Sequence, residues 1–283
     1  MNLRIMLYLA IFIGLTIRSQ AQYAFNIEVS GKGPALLLIP GYSCSGEVWK
    51  ETVATLNNQY ECHVLTLAGY AGQPAIDTPV LKTVKGDIIR YVKDKKLTKP
   101  VLVGHSLGAF MSIWVASEAP ELFGKLVCVD GVPFISALGR PQITVDSVKN
   151  NPAFNPELVI RNFMNLPDKG FIDQTAMAMR WQVADTARAR QIAIWQYKSD
   201  RKTLATTLLE MSTTDLRAAL KQIPQPVLVM GSIYQTKEQS ERWLKLQYEQ
   251  TPDLEIKVAD SKHFIMYDQP NWFITELTAF LNK

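Results

Sequence analysis

The sequence predicts an α/β fold: a mostly parallel, doubly wound sheet with a helical cap inserted late in the chain. Three observations carry that expectation. Short apolar runs at residues 35–39, 101–103, 126–129 and 226–230 alternate with helical patterns, and uninterrupted runs of this kind suit strands buried on both faces. A long stretch, residues 132–222, contains no such run. Chemically useful residues fall at or just after strand ends: Pro40-Gly41-Tyr42, Ser106, Asp130 and His263. In open α/β sheets the carboxyl ends of the strands are where ligands gather. A chain of 283 residues with 47% hydrophobic and 20% charged residues is long and apolar enough for one large domain with a sizeable core.

The elements follow in order. Residues 23–29 alternate and form a first strand, closed by the turn Gly31-Lys32-Gly33-Pro34. The strand at 35–39 ends at Pro40-Gly41-Tyr42, and residues 48–56 are helical. A strand at 62–67 runs into Gly69-Tyr70-Ala71-Gly72. Residues 81–93 hold a 3.6-residue period through Val84, Ile88, Ile89 and Val92. The strand at 101–103 precedes a helix reaching about residue 117, and the strand at 126–129 ends at Asp130-Gly131. Between residues 132 and 222 come turns marked by Pro141, Pro152, Pro156 and Pro167, then helical pieces at 171–185, 187–197 and 203–211. Strand signals return at 226–230 and 254–258, with helices at 239–250 and 272–281. The domain plan is therefore a core of residues 22–131 and 223–283 around a cap of residues 132–222, without internal repeats or low-complexity tracts.

Residues 1–21 read as a secretory signal. Arg4 opens the segment, an apolar run follows from Ile5, and Ser19-Gln20-Ala21 supplies small residues two apart before a cut. The apolar run is too short to span a bilayer comfortably, so no stable membrane span is expected in the mature chain. A secreted or periplasmic location follows. Removing the segment takes away Arg4 and Arg18 and lowers the formal net charge of +4 by two. The charge forms no basic stripe, which argues against a nucleic-acid partner. Three cysteines, Cys44, Cys62 and Cys128, do not make a disulfide framework or show metal-ligand spacing with histidine.

The run Gly104-His105-Ser106-Leu107-Gly108 has the form G-x-S-x-G and stands between a strand and a helix, the setting of a nucleophile elbow. Such a turn holds its central residue in a strained conformation, clear of the sheet at the positive end of a helix. Of the three histidines, His63 begins a strand, His105 packs beneath the turn, and His263 alone lies on a loop after the last strand. On these residues, together with Lys262-His263-Phe264, the chain resembles the α/β-hydrolase family over essentially the whole mature length.

The resemblance implies a triad in the order Ser, acid, His, with Ser106 as nucleophile and His263 as base. Where the family most often carries its acid, after the strand at 226–230, this chain has Gly231-Ser232-Ile233-Tyr234-Gln235-Thr236. Some relatives place the acid one strand earlier, where Asp130 stands. Asp130 is the preferred acid, with Glu238 second and Asp260 too tightly tethered to His263. The oxyanion hole is expected from the backbone amides of Leu107 and Tyr42, although Pro40 replaces a histidine common in that loop. Phe163, Met177, Met179, Trp181 and Trp195 either line an apolar pocket under the cap or hold the cap to the core.

The expected activity is hydrolysis of carboxylic esters or lactones through an acyl-enzyme on Ser106, acting on a small-molecule ester-like substrate and needing no cofactor or metal. The same residues also serve amide, peptide or C–C bond cleavage and acyl transfer. A hydrolase-like binding protein with little turnover is the reading from a different class, supported by the absence of an acid directly after Met230.

Overall fold

The computed structural model describes residues 23–77 and 79–283; the expected signal segment lies outside the described residues. Seven strands form one sheet: β1 (Phe25–Ser30), β2 (Ala35–Ile39), β3 (Glu61–Leu67), β4 (Val101–His105), β5 (Leu126–Val129), β6 (Val227–Gly231) and β7 (Leu254–Val258). Their order is β1-β3-β2-β4-β5-β6-β7. β1 runs antiparallel to β3, and every other neighbouring pair is parallel. The chain steps from β2 to one side for β3 and returns to the other side for β4. The crevice at the carboxyl ends of β2 and β4 is therefore the topological switch point, where a doubly wound sheet opens a binding site.

Register fixes what meets there. Ile39 pairs with Gly104, His105 with Val129, and Val129 with Met230. Residues just past these positions are brought side by side, since Ser106 N donates to Val129 O at 2.8 Å and Asp130 N to Met230 O at 2.7 Å. Alternation along each strand feeds two cores. Leu37, Ile39, Leu102, Cys128 and Val229 pack on one face with α2 (Val80–Asp94) and α3 (Leu107–Glu118). Leu36, Leu38, Val103, Val127 and Leu228 pack on the other with Trp49, Phe273 and Phe280. The cysteines are free and buried; burial pushes the Cys44 and Cys128 thiols up to about 12 and Cys62 to about 11. His63 is structural, its Nδ1 lying 2.8 Å from the Tyr91 hydroxyl and its Nε2 3.0 Å from Glu61.

The helix expected from residue 48 begins as a 3-10 turn, Gly46–Trp49, and becomes α1 only at Lys50–Leu56. Between β5 and β6 the chain is wholly helical and irregular. It holds α4 (Val145–Lys149), α5 (Pro156–Met164), α6 (Phe171–Met179), α7 (Thr186–Lys198) and α8 (Arg201–Ser212). After β6 come α9 (Lys237–Gln247), α10 (Ile265–Asp268) and α11 (Pro270–Leu281). α4 and α5 occupy what the sequence presents as proline-rich turns. Thr144 and Ser147 form a capping box, and Asn155 caps a helix whose first residue is Pro156. Those prolines and caps start helices as readily as they end them. The single helix expected over 171–185 breaks after Met179, because Asp185 turns out to cap the next one, its side chain accepting from Arg188 N.

The insertion is bound to the core chiefly through α7 and α8. Tyr42 donates its hydroxyl to Leu204 O at 2.7 Å, and Tyr70 meets Thr207 Oγ1 at 2.7 Å. Glu210 caps α2 from outside, its carboxylate accepting from Val80 N at 2.8 Å, Leu81 N at 3.0 Å and Lys82 N at 3.3 Å. Pro79, the residue before α2, has no side-chain group to do so. No helix among the described residues is long and apolar enough to cross a membrane.

Candidate active site

Ser106 sits between β4 and α3 with φ 54° and ψ −115°, a conformation few L-residues adopt. Two glycines make the turn possible. A Cβ on Gly104 would lie 2.1 Å from Gly108 O, and one on Gly108 would lie 2.1 Å from Ile39 O. Both clashes are with backbone, which cannot swing aside. The serine is thus held at the first turn of α3, where the helix amides have no intrahelical acceptor.

His263 lies on the loop after β7. Its Nδ1 is 2.6 Å from Asp130 Oδ2, and Asp130 directly follows β5. The Asp130 side chain is almost fully buried, at 1% exposure, so its charge requires partners. It has them. Ser232 N donates to Oδ1 at 2.7 Å and Ser232 Oγ to Oδ2 at 2.9 Å, while the imidazole takes the remaining direction on Oδ2. Binding through Nδ1 turns Nε2 of His263 away from the carboxylate. Glu238, the alternative acid, lies instead in the first turn of α9, where hydrogen bonds from its own amide and from Thr236 hold its carboxyl below the usual range. Asp260 presents its carbonyl to Gln269 at 2.8 Å.

Sequence reasoning missed Ser232 and underused Tyr234. Ser232 carries no signature beyond its position just past β6, next to Asp130 by register. Tyr234 lies near Asp130 on the loop after β6, its amide donating to Ser240 Oγ at 3.0 Å. Burial first, then the nearby Asp130, push the phenol well above its ordinary pKa.

His105 is completely buried beneath the elbow. Its Nε2 donates to His263 O at 3.0 Å, and its ring lies 4.6 Å from that of Phe264. Burial, followed by the neighbouring His263, drives its pKa well below the ordinary histidine value, so it stays neutral.

The loop after β2 contributes Gly41 and Tyr42. The Tyr42 ring stands edge-on to Tyr70 at 5.7 Å, and its hydroxyl is committed to α8, so the residue is braced from both ends. Tyr42 and Ser106 line one cavity of about 520 Å³ together with His263. Met179, Ile192, Leu208 and Met211 from the insertion and Ile233 from the core form its apolar wall. Trp181, 86% exposed, stands with Lys262 at the mouth. Of the five cap residues expected either to line a pocket or to pack, Met179 and Trp181 line this cavity. Trp195 is buried in the core cluster, Phe163 packs on the other one, and Met177 is exposed.

A sequence profile described as the alpha/beta hydrolase family matches residues 36–276. Among curated relatives, the pimeloyl-[acyl-carrier protein] methyl ester esterase of Vibrio atlanticus is 26% identical over 201 residues, covering 71% of this chain and 76% of its own. The esterase of the same name from Nitrosomonas europaea is 27% identical over 214 residues, covering 73% and 79%. Among solved structures, the enol-lactonase from Burkholderia xenovorans superposes with a TM-score of 0.74 at 13% identity, covering 92% of this chain and 96% of its own. An esterase from Exiguobacterium antarcticum gives 0.74 at 17% identity, with the same coverage. At these identities the structural likeness speaks for the fold.

Proposed function

Because the chain belongs to the alpha/beta hydrolase family, we propose that it is a serine hydrolase of carboxylic esters, with Ser106, His263 and Asp130 as its triad. One observation carries the reading: Ser106, in its strained elbow, faces the same cavity as a histidine whose Nδ1 is held at 2.6 Å by a buried carboxylate. The named esterases among the relatives and the lactonase and esterase among the structural neighbours agree with ester chemistry.

The mechanism follows from the arrangement. Nε2 of His263 takes the Ser106 proton as Oγ attacks the ester carbonyl, and Asp130 stabilises the imidazolium that results. The amides of Leu107 and Tyr42 receive the oxyanion. Collapse of the tetrahedral intermediate breaks the bond to the alcohol oxygen, which leaves with the imidazolium proton, and the acyl group remains on Ser106. Water then attacks the acyl-enzyme, giving its proton to His263, and the acid is released as that proton returns to Ser106. The apolar wall from Met179 to Met211 suits a hydrocarbon portion of the substrate.

A fluorophosphonate probe tests the reading. Labelling is expected on the wild type and lost in Ser106→Ala and His263→Ala. An unlabelled wild type overturns the proposal. A panel of p-nitrophenyl esters of increasing chain length then measures which acyl groups the cavity takes. Export is part of the same proposal, resting on the apolar run after Arg4 and the Ser19-Gln20-Ala21 site. The amino terminus of protein recovered outside the cytoplasm is expected at Gln22.

A further inference from the structure

The loop that carries His263 is tied both to the core and to the insertion. His263 O accepts from His105 Nε2 at 3.0 Å. Phe264 N donates to Gln182 O at 3.1 Å, and Lys262 Nζ donates to Arg180 O. Lys262 N donates to Asp268 Oδ2 at 3.1 Å, while Asp268 Oδ1 accepts from Ala184 N at 2.9 Å. The residues flanking the histidine, Lys262 and Phe264, are thus both linked to residues 180–184, the irregular strap between α6 and α7. Asp268 completes the match by bridging loop and strap with one carboxylate.

The chemistry of the bridge is specific. α10 opens directly after Phe264, and Asp268 N donates back to Phe264 O at 3.0 Å, so one helical turn returns the carboxylate to Lys262 N, next to the histidine in sequence. Two amides point at it, and a carboxylate offers an acceptor oxygen to each. An amide side chain offers one oxygen and turns an NH2 donor towards the second N–H. Val183, in the middle of the strap, is fully buried, which anchors the strap while its neighbours hold the loop.

We propose that Asp268 is a positioning residue for His263: it splints the loop of the histidine to residues 180–184, so that the cap that walls the cavity also sets the aim of the imidazole. The proposal rests on His263 acting as the base. Trp181 lies on the same strap, so a group bound at the cavity mouth touches the segment that steadies the histidine.

The experiment compares Asp268→Ala, Asp268→Asn and Asp268→Glu with the wild type. The readouts are p-nitrophenyl acetate hydrolysis, thermal melting, and the downfield proton resonance of His263 Nδ1–H. Asp268→Ala is expected to lower kcat by about tenfold to a hundredfold, as small misplacements of a catalytic group do. KM is expected to stay within about twofold, and the resonance to broaden or vanish. Asp268→Asn is expected to fall between, and Asp268→Glu, which keeps both acceptors, to recover kcat and the resonance. A lowered melting temperature with kcat per folded molecule and the resonance unchanged overturns the proposal. The resonance is read without turnover. An inactive, unlabelled wild type therefore overturns the hydrolase reading, while the resonance in the variants still decides whether Asp268 orders the histidine.

Discussion

Asp130 Oδ2 lies 2.6 Å from His263 Nδ1, although 133 residues separate the two in sequence. The same carboxylate accepts from the amide and the hydroxyl of Ser232, so Ser232 and the histidine orient it together. Asp130→Asn is expected to leave the fold intact and to lower kcat by up to about ten-thousandfold, as the wrong imidazole tautomer becomes favoured. Ser232→Ala, which removes one of the two bonds and keeps the amide, is expected to cost about tenfold, in line with a single hydrogen bond to a charged group. Steady-state ester hydrolysis alongside circular dichroism checks both.

Trp181 combines 86% exposure with a place on the cavity mouth. Trp181→Ala is therefore expected to leave the melting temperature unchanged and to act on the substrate. For esters long enough to reach the mouth, kcat/KM is expected to fall about fivefold to tenfold, while acetate esters are hydrolysed normally, a difference of about 1 kcal/mol from lost apolar contact. Equal losses on short and long esters would contradict this placement.

His105 makes stability depend on pH. Its folded-state pKa is depressed, so below about 6.5 the unfolded chain binds a proton that the native state refuses. Stability from this group is present above that pH and is lost as pH falls through the unfolded value, with a limiting slope of about 1.4 kcal/mol per pH unit. Urea unfolding at pH 7.5 and 5.5 is expected to show the loss, and His105→Gln to remove that component of it.

Glu210 reaches from α8 to cap α2. Glu210→Ala is expected to destabilise the protein by about 1–2 kcal/mol, as loss of a helix cap does. In a chain of this size that lowers the melting temperature by several degrees, about 2–4 °C per kcal/mol. Burial of the carboxyl raises its pKa in the folded state. The native state therefore holds this proton more tightly, and the ionisation itself subtracts stability as pH rises through the folded value. Glu210→Gln against wild type, unfolded across the carboxylate range, is expected to gain relative stability towards neutral pH.

The sheet was legible because its central strands, β2, β4, β5 and β6, are compact apolar runs and the outer strands β1 and β7 alternate. Ser106 and His263 were legible for the same reason, since both belong to short local patterns at strand ends. Asp130 could be preferred over Glu238 from its strand, yet its partners could not be read. Ser232 matters only through the β5–β6 register, which brings it to Asp130. The cap was the least legible part. Pro156 and Asp185 mark helix starts there, and a local reading takes the first for a turn and runs a helix through the second. Residues 180–184 read locally as the end of a helix, whereas hydrogen bonds to a distant loop determine their path.

Asp130 ends the core segment before the insertion, and Ser232 follows the strand after it, 102 positions further along the chain. Their paired hydrogen bonds act as a clasp at the neck of a large excursion. Once a neck is closed, doubling the length of what loops out of it adds only about 0.6 kcal/mol of closure entropy. The cap is therefore the part of the molecule that evolution can lengthen, shorten or exchange most cheaply. The clasp meanwhile keeps the Asp130 carboxylate turned to His263 whatever the length of the excursion.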